Sequence, residues 1–115
     1  MISQGEVYIV DFGKKFHSEL GKKRPAVVLQ HNFLNRALEN AKFPSVMVIP
    51  LSSDDIVTEY KIKIPKRDKL QKDSYVVTTW VCSVDMKRFD FETGLLTKLS
   101  NEEIEKLKEK FCEMM

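Results

Sequence analysis

Cysteine is scarce. Cys82 and Cys112 are the only two in 115 residues, and neither has a CxxC or Cys/His spacing around it. That usage argues against a disulfide scaffold or a zinc site and suggests free thiols in a reducing cytoplasm. Long apolar runs are missing as well. The longest are short stretches such as Ala26-Val27-Val28-Leu29, far below the ~18 residues that a membrane-spanning helix needs. The opening Met1-Ile2-Ser3-Gln4-Gly5-Glu6 has no basic stretch leading into an apolar one, so no secretory signal is expected. No internal repeat, low-complexity tract or Pro/Gly/Ser linker interrupts the chain, which reads as one domain over 1–115. GxGxxG, P-loop, HExxH and GxSxG motifs are all absent, removing the nucleotide-binding and common hydrolase classes. Carboxylates lack the paired spacing of a two-metal nuclease. Phosphoryl chemistry, if present, is therefore expected to run without metal or other cofactor, through the 2′-hydroxyl that RNA has and DNA lacks.

What is present fits a globular protein. The hydrophobic fraction is 43%, too high for a disordered chain. The net charge of +2 is unevenly spread: residues 61–75 carry six Lys/Arg against two acids, and residues 1–31 carry five against three. A polyanion partner is plausible if folding brings those two segments together. Read alone, they are solvated loops.

Glu6 to Phe12 is rich in β-branched and aromatic residues and reads as a strand closed by Gly13. After a polar loop, a second strand is expected from Ala26 to Gln30, with Pro25 at its first position, where a missing N–H is tolerated. Asn32 can cap a short helix carrying Leu34, Ala37, Leu38 and Ala41 at helical spacing. Ser45 to Ile49 is a buried strand opening into Pro50-Leu51-Ser52-Ser53. Tyr60 to Ile64 alternates strictly, and its lysines suit an edge strand. Ser74 to Asp85 is the longest strand candidate, and Leu95-Leu96 suggests a short further one. Ser100-Asn101-Glu102-Glu103 is a capping box, opening a last helix with Ile104, Leu107, Phe111 and Met114 or Met115 on one stripe. The order predicts a mostly β fold, a small antiparallel barrel with attached helices.

Three features could carry chemistry. Arg24, preceded by Lys22-Lys23 and followed by Pro25, offers a rigid fork of donors that matches phosphate oxygens. Ser52-Ser53 ends a buried strand, where hydroxyls can donate to a phosphate or steady a developing negative charge. His17 sits in the basic loop, and an imidazole moves protons near neutral pH. Taken singly, these read as a solvated arginine, turn-forming serines and an exposed loop histidine. His31, with no acidic or cysteine neighbour, reads as structural.

Taken in order, the motifs resemble the MazF/PemK (Kid) family of toxin–antitoxin ribonucleases. The resemblance rests on Gly5-Glu6-Val7-Tyr8, Gly21-Lys22-Lys23-Arg24-Pro25-Ala26-Val27-Val28-Leu29 and Val48-Ile49-Pro50-Leu51-Ser52-Ser53. It continues through Leu70-Gln71-Lys72-Asp73-Ser74, Ser83-Val84-Asp85-Met86-Lys87-Arg88 and Leu96-Thr97-Lys98-Leu99-Ser100. It implies an SH3-like barrel of the CcdB/PemK type, a homodimer, and cleavage of single-stranded RNA to 2′,3′-cyclic phosphate and 5′-hydroxyl ends. It also implies a cognate antitoxin whose disordered, usually acidic tail blocks the RNA groove. On this resemblance Arg24 matches the catalytic arginine, Ser52 a catalytic threonine, Glu6 an acidic site residue and His17 a loop histidine. Arg24 is then expected to hold the scissile phosphate, Ser52 with Ser53 to orient it, and His17 or Glu6 to relay protons. Lys14, Lys15, Lys22 and Lys23 would steer the RNA, with Thr79 and Trp80 along its path and the tryptophan either stacking a base or packing in the core. The chain departs from the family at Val77 and Thr79, where Kid-like members carry an arginine and an aspartate. It departs again at Cys82, where many members carry an arginine. Two rivals keep the fold: a non-catalytic CcdB-like toxin acting on a protein such as DNA gyrase, and an SH3-like nucleic-acid-binding module.

Overall fold

The computed structural model describes residues 2–13, 23–53 and 60–115. Seven strands and two α-helices are found among them: β1 (Glu6–Asp11), β2 (Lys23–Val28), α1 (Asn32–Arg36), β3 (Ser45–Ser52), β4 (Lys61–Ile64), β5 (Ser74–Val77), β6 (Cys82–Asp85), β7 (Thr97–Lys98) and α2 (Asn101–Glu113). Every pairing is antiparallel, in the order β4-β5-β3-β2-β1-β7, with β6 added beside β3. After β6 the chain returns to β1, where Val10 bridges Phe89 and the Asp90 N–H donates to the Ile9 carbonyl at 2.8 Å. That bridge closes a ring of β1, β2, β3 and β6.

Strand alternation sends β1–β3 side chains to two faces, and each face buries a core. Tyr8, Val10, Phe12, Ala26, Val28, Val46, Val48, Val84 and Phe89 pack inside the ring. Val7, Val27, Ile49 and Leu51 point the other way, against Ile62, Ile64 and Val76 of the β4–β5 hairpin, Leu70 and Leu96, and Leu107 of α2. Burial on both faces explains why β3 reads as a continuous apolar run. β4 does lie at the edge of the sheet, its Lys63 exposed and Ile62 and Ile64 buried. The capping box forms as the sequence predicts: Ser100 Oγ accepts from the Glu103 N–H at 3.2 Å, and Glu103 Oε1 accepts from the Ser100 N–H at 2.8 Å.

Four expectations need correction. β2 begins at Lys23, so Pro25 lies inside the strand; Lys23, Arg24 and Pro25 pair with β1 alone. Ser74 to Asp85 is not one strand. The Thr78 N–H and Oγ1 both donate to the Tyr60 carbonyl, at 3.0 and 2.7 Å, and a single 3₁₀ turn over Thr78–Trp80 follows. The Leu51↔Val76 register, carried on, would set Thr79 against Val48; Cys82 stands there instead, and the intervening residues leave the sheet. Leu95-Leu96 is not a strand; Thr97–Lys98 is, because these residues find partners in Val7 and Glu6. The first helix is capped by His31, whose Nδ1 accepts from the Phe33 N–H at 3.0 Å. Leu34 on it is exposed, and Asn35 is buried instead, its amide donating to the Gln30 carbonyl and to Asn32 Oδ1.

Gly5 links the end of β2 to the segment between β7 and α2. Its N–H donates to the Val28 carbonyl and its carbonyl accepts from the Leu99 N–H, at φ +88°. A Cβ there would lie 2.7 Å from Ile104 Cδ1, at the flexible end of that side chain, so backbone strain is the larger obstacle. Gly5→Ala is expected to lower stability by about 1–2 kcal/mol, read by chemical denaturation.

Candidate functional site

The β2–β3 ladder runs from Val28↔Val48 to Ala26↔Pro50 and stops, although β2 extends back to Lys23 and β3 on to Ser52. Carried two residues further, the register would set Arg24 opposite Ser52. Pro25 stands at this point with no N–H to donate across to Leu51, whereas the N–H that Pro50 lacks would face the other edge of β3. From Leu51 onward β3 pairs with β5 instead. The two strands thus part, and a groove of about 890 Å³ has Arg24 and Ser52 in its lining. Where the strands part the groove reaches both faces of the sheet: Ile9, Leu51, Leu70 and Leu96, from the core under the hairpin and α2, give it an apolar floor on the face opposite the Arg24 and Ser52 side chains, and Lys23, Pro25, Ser53, Lys69, Gln71 and Lys72 also line it.

The two residues on which the sequence reading depends are therefore brought together. Ser52 is buried, and Arg24 is half-buried with its Nε out of contact with solvent. The Arg24 guanidinium carbon lies 5.9 Å from the centre of the Trp80 ring, within cation–π range. Trp80 is placed there by the 3₁₀ turn, half-buried rather than in either core, with Thr79 beside it and exposed. Lys23 and Ser53 also line the groove. Lys14, Lys15, His17 and Lys22 lie outside the described residues.

Glu6 is not brought to this groove. It stands at the opposite end of β1, where its Oε1 accepts from the Ser3 N–H at 2.6 Å and from the Tyr8 hydroxyl at 3.2 Å. Burial first, then the neighbouring Glu6 carboxylate, pushes the Tyr8 hydroxyl up to about 12, so it remains a donor to Glu6. Burial likewise raises the Cys82 thiol, which packs beside the ring core in its protonated form.

Three residues went unnoticed as site residues in the sequence. Ser52 pairs with Tyr75, and Tyr75 pairs with Lys63, so all three share one face of the sheet. Pro50, Ala26 and Arg24 continue that face by alternation. Lys61 Nζ sits 5.8 Å from the Tyr75 ring centre. Two cation–aromatic pairs, Arg24–Trp80 and Lys61–Tyr75, thus flank Ser52. In sequence the lysines look only like edge-strand lysines; their signal is the pairing register, which sequence alone does not supply. Among the described residues no three His, Cys, Asp or Glu side chains cluster as metal ligands, and no helix is long and apolar enough to cross a membrane.

A curled antiparallel sheet with two helices is the fold of solved MazF toxins. Residues 3–115 match the family described as PemK-like, MazF-like toxin of type II toxin–antitoxin system, and the chain belongs to that family. It is 30% identical over 105 residues to the endoribonuclease MazF of Staphylococcus epidermidis, covering 85% of this chain and 80% of that protein. Its fold is similar to a mycobacterial endoribonuclease solved with its cognate antitoxin, at 16% identity and a TM-score of 0.73 over 98% of this chain and 93% of that one. MazF of Deinococcus radiodurans is similar too, at 15% identity and a TM-score of 0.71, over 98% and 94% of the two chains.

Proposed function

We propose that this MazF-family endoribonuclease toxin cleaves single-stranded RNA without metal, by attack of the 2′-hydroxyl on the adjacent phosphate, leaving 2′,3′-cyclic phosphate and 5′-hydroxyl ends. The observation that carries the reading is the convergence of Arg24 and Ser52 on one groove. In the transition state the phosphate gains charge, and a fork of fixed cationic donors with a neighbouring hydroxyl stabilises it there. Trp80 holds one side of the guanidinium and offers a face for a base. Tyr75, Lys61 and Lys63 extend an aromatic and cationic track of the kind that binds single strands. His17 is assigned the proton relay. Glu6, held by Ser3 and Tyr8, is left out of it.

Regulation follows the family: a cognate antitoxin protein with an acidic, disordered tail would occupy the same cationic groove, on a homodimer in the cytoplasm. The mycobacterial endoribonuclease solved in complex with its cognate antitoxin supports such a partner. The decisive experiment incubates purified protein with mixed RNA in EDTA. Fragments ending in cyclic phosphate, with a DNA control left whole, are expected. RNA that stays intact while the protein remains folded overturns the proposal.

A further inference from the structure

The lining that includes Arg24 and Ser52 also contains a residue that phosphate binding does not explain. Residues 67–70 form a tight turn in which Arg67 and Leu70 exchange backbone hydrogen bonds of 3.1 and 2.8 Å. Asp68, the first central residue, has φ +52°, the only positive φ outside glycine among the described residues. A two-residue turn with positive φ at its first central position alone ordinarily gives that place to glycine. Aspartate tolerates it better than most residues, yet glycine would sit there unstrained.

The carboxylate is also fixed in place. Asp68 Oδ2 accepts from Thr97 Oγ1 at 2.7 Å, and Thr97 Oγ1 accepts in turn from Arg67 Nε at 3.2 Å. Arg67 is itself anchored by two bonds to the Glu103 carboxylate. Asp68 Oδ1 accepts no hydrogen bond from the described residues. Asp68 is the one carboxylate among the described residues lining the groove, beside Lys23, Arg24, Lys69 and Lys72, and it works against binding a phosphate at that spot. It suits a group that presents N–H donors. The apolar floor made by Ile9, Leu51, Leu70 and Leu96 lies beside it, and Gln71 adds an amide to the same lining.

Resting on the ribonuclease reading, we infer that this part of the groove is a base subsite: an unstacked nucleobase next to the scissile phosphate lies on the apolar floor and donates an N–H from its edge to Asp68 Oδ1. Single-stranded RNA is recognised in this way, by splaying bases out and hydrogen-bonding their edges. Asp68 is thus a specificity-determining residue, and Arg67 and Thr97 are positioning residues that act through it.

The test uses short RNA oligonucleotides carrying a 2′-deoxy sugar at the cleavage position, identical except for one flanking base. Binding to wild type, Asp68→Gly and Asp68→Asn is read by fluorescence anisotropy, so the answer does not depend on turnover. Wild type is expected to prefer one base at that position. Asp68→Gly keeps the turn without strain at its positive φ but leaves the buried Thr97 hydroxyl without its acceptor; it should stay folded, checked by thermal melting, and lose about 10-fold or more of that preference. Asp68→Asn, which adds donors, should move the preference toward a base that accepts. Equal selectivity in all three proteins, or none in the wild type, overturns the subsite. If selectivity follows Asp68 while the EDTA assay leaves RNA intact, the subsite stands and the catalytic reading falls.

Discussion

Arg24→Ala is expected to slow RNA cleavage by about 10²–10³-fold or more, the cost of removing one well-placed donor from a developing oxyanion. The arginine stands at the start of β2, paired through Val10 to β1 alone, where losing its side chain leaves both cores intact. Its melting temperature should therefore change little, and the loss should lie in the chemical step. Arg24→Lys keeps the charge and loses the planar fork, so it should recover only part of the rate. Single-turnover cleavage with excess protein, alongside thermal melting, measures both. Wild-type rates in the alanine variant would remove the arginine from the mechanism.

Glu103→Ala should give the largest loss of stability among the substitutions considered, about 2–4 kcal/mol from two charge-assisted bonds and a helix cap. Glu103 accepts from Arg67 Nη1 at 3.0 Å and Nη2 at 2.6 Å, and from the Ser100 N–H at 2.8 Å. The side chains are 17% and 30% exposed, so water and salt screen the pair only partly. Burial raises the Glu103 carboxyl, but the Arg67 and Ser100 bonds outweigh it and hold the group below the usual carboxylate range. A carboxyl depressed on folding stabilises the protein fully above its unfolded value of ~4.3, and that share disappears as pH falls through the lower folded value. Urea unfolding from pH 7 down to pH 3 should show the acid limb in wild type and a flatter one in Glu103→Gln. A variant that keeps the wild-type limb would place the acid sensitivity elsewhere.

Local patterns carried much of the fold into the sequence. The β1 run, the alternation of Lys61, Ile62, Lys63 and Ile64, and the Ser100/Glu103 box each depend on neighbours a few residues apart, and each forms. The misread places are those decided by distant partners. The Tyr60 carbonyl interrupts the strand at Thr78, and Glu6 and Val7 select Thr97 and Lys98 as the short β7. Gln30 similarly draws Asn35 inward while Leu34 stays exposed. The site divides the same way. Arg24 and Ser52 were legible through the ordered motifs of a resemblance, while no spacing between them predicted that they would meet. Tyr75 and Lys63 depended on cross-strand register, and Asp68 sat in the basic segment 61–75, which read alone as a solvated loop.

Pro25, at the end of the β2–β3 seam, has a kinetic consequence. A cleft kept open by a missing backbone donor needs no ligand to pry its walls apart, so an incoming strand meets a trough that already has its final width. Capture should then proceed without a slow rearrangement, at a speed governed by collision and by attraction to Lys23, Lys69 and Lys72, and it should fall smoothly as ionic strength rises.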